Sequence, residues 1–252
     1  MEPMYTRIRK RAREIVSHFP PPDFYVDFSW ADESSQNFFE TDPVIAELRT
    51  FVAEHIEDDF GHGLKHSIKV AVDAGTLLLI EGKLSEYPAS FIDRGVLIVQ
   101  CAGLLHDIKR KHKEHATKGA AYAREVLQEY PFSTDEVEDI CRAIQAHEAF
   151  KSTVQIKTPE SALVSNCLYD ADKFRWGPDN FTDTLWDMVS FFNPPLSKFL
   201  SHYPKGMEGL AKIKTTFRTE TGRKYGPQFI DMGLAIGEEI YRAIKTEFSD
   251  FL

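Results

Sequence analysis

The chain has 252 residues, 42% of them hydrophobic and 27% charged, with a formal net charge of −9. A chain of this size buries a substantial core, and its acidic balance argues against a general nucleic-acid binder, whose footprint is basic. The longest apolar run, residues 95–105 broken only by Gln100, is well short of the ~20 residues a membrane span needs, so no membrane partner is expected.

In chain order, Tyr5, Ile8, Ala12, Ile15 and Val16 recur at helical spacing. Arg7, Arg9, Lys10, Arg11 and Arg13 fall between them, which predicts an amphipathic first helix with a solvated basic face. No apolar leader follows these cations, and we expect no signal peptide. Pro20, Pro21 and Pro22 stop the helix. The aromatic stretch 24–39 reads as an irregular loop, laid over the domain or forming an oligomer contact. Asp42-Pro43 caps a helix over 43–56.

Helical spacing then dominates. Segments 64–80, 91–107 and 116–130 each carry an apolar stripe, and Ser133 with Glu136 has the form of a capping box opening the next helix. Thr158-Pro159 starts another, running to about residue 173, and 181–192 and 229–248 complete the set. Between the last two we expect loops rich in Pro, Gly and Lys, with Arg218, Arg223 and Lys224 in one of them. Cys101, Cys141 and Cys167 stand singly in apolar segments with no CxxC spacing, which fits core thiols in a reducing cytoplasm. With no alternating run of strand length and no convincing linker, the expectation is an all-α single domain.

Extending the stripes by one step brings polar residues onto them repeatedly. His66 precedes Val70 and Ala74, His106 follows Val99 and Ala102, His147 follows Ile144, and Asp172 follows Leu168 and Tyr169. One such histidine is ordinarily a satisfied core side chain. A buried carboxylate must be paired or coordinate a cation, and several inward imidazoles with carboxylates from separate helices suit a metal centre in a bundle. Nitrogen and oxygen donors without thiolate fit manganese, iron, zinc, cobalt or nickel.

His66 in His-Ser-Ile-Lys-Val, the doublet His106-Asp107 in Leu-Leu-His-Asp-Ile, and Asp172 in Asp-Ala-Asp-Lys-Phe resemble the HD-domain metal-dependent phosphohydrolases. The resemblance implies an all-α HD core over about 60–175, with flanking helices from 1–59 and 176–252 packed on it. It implies that His66, His106, Asp107 and Asp172 bind a first metal, with Asp170 the rival for the last place. His115 and His147 are then a second-metal pair, one or two metals per chain in all, or His115 is an acid–base group. His62 reads as a helix-entry residue and His112 as an exposed neighbour. The chain lacks the GYP signature of the cyclic-dinucleotide members. It carries Lys109 where many relatives have glycine and Arg110 where some mononucleotide phosphatases have glutamate.

Cations beside ligand motifs in an acidic chain suit an anionic substrate. Lys109, Arg110, Lys111, Lys173, Arg175 and Arg223 are the candidates for its phosphate. We therefore expect a cytoplasmic hydrolase of a phosphate ester or anhydride, with a nucleotide-like small molecule as substrate and oligomeric state open, a homodimer included. The alternatives are a mixed-valence di-iron oxygenase and a non-catalytic nucleotide-binding HD sensor.

Overall fold

In a computed structural model the described residues are 3–56, 63–151 and 154–251. They form twelve α-helices and no strand, an all-α fold as expected. The helix α5 (Leu64–Leu84) is the centre of the arrangement, with fourteen of its residues buried, from His66 to Gly82. A helix apolar on nearly every side must be covered on every side. Around it lie α3 (Ser29–Thr41), α6 (Ala89–Leu105), α9 (Pro159–Phe174) and α12 (Glu220–Glu247). Helices α7 (His115–Val126) and α8 (Thr134–Ala146) pack on each other, and α8 also rests on α6 and α9.

Local signals account for where these helices begin. Asp42 accepts from the Val44 and Ile45 amides at the start of α4 (Pro43–His55), with Pro43 in its first turn. Ser133 and Glu136 form a reciprocal capping box at α8, and Thr158 caps α9 through the Ser161 amide. The basic face of α1 (Met4–Val16) is less solvated than expected. Arg9 reaches Asp183 at 2.9 Å and Asp187 at 2.5 Å, Arg13 reaches Asp183 at 2.8 Å, and Arg11 reaches Glu247 at 3.0 Å, which ties α1 to the C-terminal part of the chain.

Two stretches differ from expectation. Residues 24–39 are helical, as α2 (Asp23–Asp27) and α3. The core-facing stripe of α3 is Ala31, Ser35 and Phe39, small and polar enough to hide a helix from a search for large apolar residues. Ser35 donates to the Val72 carbonyl at 2.7 Å and receives Gln100 Nε2 at 3.0 Å, docking α3 on α5 and α6. Past a π-helical turn at Asn180–Thr184 and α10 (Leu185–Phe192), the expected loop is α11 (Leu196–Ile213). Its stripe of Leu196, Leu200, Tyr203, Leu210 and Ile213 is interrupted by Pro204, Gly206 and Gly209, residues that usually mark turns. Arg223 and Lys224 are likewise in the first turns of α12 rather than in a loop.

The crossing of α5 and α6 fixes how closely His66 and His106 can approach each other. A methyl group at Gly103 would lie 2.5 Å from Ala71 Cα and 2.8 Å from Ala71 N, so the two backbones pass within a distance only glycine permits. We predict that Gly103→Ala destabilises the fold by about 1–3 kcal/mol in a denaturant titration, the cost of overpacking against rigid backbone. Helical content by circular dichroism should stay close to that of the parent.

Candidate metal centre

Histidine and aspartate side chains from several places on the chain meet where α5, α6, α8 and α9 converge. His66 enters from the first turn of α5 and His106 caps the end of α6, with Asp107 next to it. His147 caps α8, His115 opens α7, and Asp172 lies in the last turn of α9. All six are buried. His66 Nε2 is 3.2 Å from His106 Nε2 and 3.3 Å from Asp172 Oδ1.

Asp107 faces two ways. Its Oδ2 is 3.4 Å from His106 and 3.8 Å from His66, while its Oδ1 is 3.5 Å from His147 and 3.6 Å from His115. Two trios have ligand atoms within 4.8 Å of one another and could hold a cation: His66, His106 and Asp172, and His106, Asp107 and His147.

The histidine tautomers suit that use. His106 Nδ1 donates to the Gly103 carbonyl at 2.7 Å, and His147 Nδ1 donates to the Ile144 carbonyl at 2.6 Å. Each bond uses the carbonyl three residues back that the helix end leaves available, and each turns Nε2 toward the cluster. In both cases the residue type and its position at the helix terminus are what create the donor. Burial lowers the pKa of His106, but Asp107 and Asp172 outweigh it and the net shift is upward. Burial would likewise raise Asp172, yet Lys173, His66 and His106 hold its carboxyl well below the usual range. Two buried carboxylates, inward Nε2 atoms and no sulfur form a donor set that fits a divalent transition metal.

His115 is placed differently from the others. Arg110 Nη1 donates to its Nε2 at 2.8 Å, and Arg110 also lies 3.9 Å from Asp107 Oδ1. Burial brings the His115 pKa down to about 4, with Asp107 acting in the opposite direction. A neutral ring is the one able to accept from a guanidinium. Glu148, which sequence reasoning overlooked, is 3.8 Å from His115 Nδ1 and lines the adjoining cavity.

Asp170, the rival of Asp172, has another task. Its Oδ1 accepts from the Arg218 amide at 2.8 Å and its Oδ2 from the Thr219 amide and hydroxyl at 2.7 and 2.8 Å, just ahead of α12. Two residues along a helix is a rotation of more than half a turn, so the aspartates of Asp170-Ala-Asp172 point to different neighbours. His62 lies outside the described residues, and His112 is exposed.

The candidate phosphate-binding cations divide. Arg110 and Lys173 line a cavity of about 1120 Å³ that opens onto the cluster, and Lys173 Nζ is 2.5 Å from Asp172 Oδ2. Arg175 also borders the cavity, but its guanidinium is bound to Asp73, Asp179 and Tyr25 in a buried network below the end of α9. Lys109, Lys111 and Arg223 are not among the lining residues. Lys109 sits over the Tyr122 ring at 3.6 Å, Lys111 is exposed, and Arg223 donates to the Arg218 carbonyl. Long, hydrated side chains after a buried doublet follow the nearest solvent or ring, which spacing alone does not reveal.

Residues 63–177 match the family model of the HD domain, in line with the motif order. A solved structure described as a predicted HD superfamily hydrolase from an uncultured Thermotogales bacterium is 22% identical. That alignment covers 84% of this chain and 98% of the other, with a TM-score of 0.48. No curated protein matches.

The network around Arg175 gives a test of how the end of α9 is held. Burial raises the Asp73 carboxyl to about 6 against the pull of Arg175, which leaves it ionised at neutral pH. We predict that Asp73→Asn costs about 3 kcal/mol in a denaturant titration at neutral pH, at the low end for breaking a buried pair because Asp179 remains on the guanidinium.

Proposed function

We propose that the chain is a metal-dependent phosphohydrolase acting on a phosphate ester or anhydride, with His66, His106, Asp107 and Asp172 holding a divalent cation. The observation that carries this reading is Asp107, a buried carboxylate with one oxygen toward each imidazole set and cations on the cavity side of the cluster. The match of residues 63–177 to the HD domain agrees with it. Manganese, iron, zinc, cobalt and nickel all suit the donors. Such a cation supplies Lewis acidity and lowers the pKa of water toward neutrality.

The chain's own groups do the rest. Arg110 and Lys173 take the phosphate oxygens by charge-assisted hydrogen bonds and gain strength as charge develops on them. In the absence of an anion these two cations offset Asp107 and Asp172. A phosphate dianion would bring two further negative charges, which accounts for a divalent cation in the same place. His115 holds Arg110 through Nε2 and so aims the guanidinium at the cavity. His147 borders the cavity with Nε2 inward and is placed to carry the proton of the attacking or leaving oxygen.

Metal analysis and phosphate release from simple phosphate esters test the proposal together. Asp107→Asn, nearly unchanged in shape, should lose bound manganese and turnover while keeping the parent circular dichroism spectrum. His147→Ala should retain the cation and lose turnover by ~10²–10⁴-fold. For His115→Ala we expect full metal content and a KM raised roughly tenfold, as for Arg110→Gln, since both remove one charge-assisted contact. A fall to half the parent metal content in His115→Ala would instead make His115 a ligand of a second cation. Full metal and full turnover in Asp107→Asn would rule out the site as drawn, and no phosphate release by the parent chain would end the hydrolase reading.

A further inference from the structure

The cavity that opens on the cluster has walls unlike its mouth. At about 1120 Å³ it exceeds the roughly 300–1,000 Å³ of ordinary small-molecule sites. Arg110, Lys173, Glu148, His66, Asp107 and Asp172 line it beside the cluster, and Lys198 and His202 of α11 line it as exposed side chains. Much of the remaining lining from α10 and α11 is apolar. Phe181, Leu185 and Val189 come from the π-helical turn and α10, and Phe199, Leu210 and Ile213 from α11. These residues lie beyond the segment that matches the HD domain.

We infer, resting on the hydrolase reading above, that the substrate is an amphiphile whose phosphate lies against Arg110 and Lys173 beside the cluster and whose long apolar chain fills the cavity between α10 and α11. Two observations favour this over a nucleotide. Several of the polar lining groups are committed or at the surface, with half-buried Asn180 and Thr184 the exceptions. The Tyr203 hydroxyl donates to the Gly237 carbonyl at 2.9 Å, Arg175 is held by Asp73, Asp179 and Tyr25, and Lys198, His202 and Asn193 are exposed. A base buried here would leave its hydrogen-bonding edge unpaired, which is costly, whereas a methylene chain needs no partner.

The second observation is the pair Gly206 and Gly209 inside α11. Glycine in a helix interior is unfavourable, yet both line the cavity, and a Cβ built at either meets no atom within 4 Å. Both are exposed, and a larger side chain at either would reach into the open space along the cavity lining. Trp176, Met188 and Phe192, partly or largely exposed, border the same cavity and continue its apolar surface outward, as the entry of a chain-bearing molecule requires.

Calorimetric titration of the manganese-loaded full chain with butyl, octyl and dodecyl phosphate, below their micelle concentrations, reads the proposal directly. We expect Kd to fall about two- to fourfold per added methylene until the cavity is full, and dodecyl phosphate to bind far more tightly than any nucleoside monophosphate. Gly209→Phe, with Gly206→Leu as a second and milder variant, should abolish the advantage of dodecyl over octyl phosphate. Butyl phosphate affinity and metal content should not change. Equal affinity for butyl and dodecyl phosphate, tighter binding of a nucleoside monophosphate, no binding of any alkyl phosphate, or an unaltered chain-length profile in both variants would overturn the inference. Phosphate release from the same compounds separates the two readings. Turnover without chain-length dependence keeps the hydrolase and removes the amphiphile. Chain-length-dependent binding with no turnover of any ester keeps the amphiphile site and removes the hydrolase.

Discussion

Burying a carboxylate is the constraint on which this molecule is organised. Asp107 is almost wholly out of water, where an ionised group is tolerated only with opposite charge or strong donors around it. Its neighbours come from α5, α7, α8 and the turn after α6, so satisfying one side chain requires four parts of the chain to arrive in register. The close passage of α5 and α6 at Gly103 and Ala71 is what lets His66 and His106 reach the same point. Helix ends, rather than helix middles, supply most of the donors, because there the spare carbonyls orient imidazoles.

Around that point the structure spends its other buried charges on holding helices still. Asp170 receives the two amides just ahead of α12 and Glu81 the first two within it, and Arg175 gathers Asp73, Asp179 and Tyr25 under the end of α9. In both arrangements the carboxylates hold backbone amides, a hydroxyl or a guanidinium, whereas Asp107 and Asp172 lie against imidazole nitrogens, Asp172 with Lys173 as well. A rule that every buried acid signals chemistry would have selected Asp73 and Asp170 as readily as Asp172. Only the identity of the neighbours separates them.

Much of this was legible in the sequence, for definite reasons. The helices from α4 to α9 announce themselves through long apolar stripes and through caps that form as written, at Asp42, Ser133 and Thr158. The inward placement of His66, His106, His147 and Asp172 follows from continuing those stripes. What stayed hidden depended on tertiary context. The stripe of α3 has Ala31 and Ser35 before its one large residue, Phe39, and that of α11 is interrupted by a proline and two glycines, so local propensity pointed to loops while burial made helices. Because α11 was hidden, so was the wall of the cavity. The direction of flexible cations was equally out of reach: of three after the doublet, Arg110 turns inward, Lys109 goes to a ring and Lys111 stays exposed.

The three cysteines have a bearing on which element this centre admits. Cys101, Cys141 and Cys167 lie on α6, α8 and α9, the helices that end in His106, His147 and the last-turn Asp172, and all three are buried. Burial raises each thiol, Cys141 to about 11 and the other two further, so all remain protonated at any physiological pH. They serve as small apolar spacers inside the ligand-bearing helices. A soft ion such as copper(I) seeks thiolate, and here sulfur is close in sequence yet locked in the wrong chemical form. Among the described residues, the groups that meet at the cluster offer nitrogen and oxygen alone, and the core packing keeps these thiols as spacers.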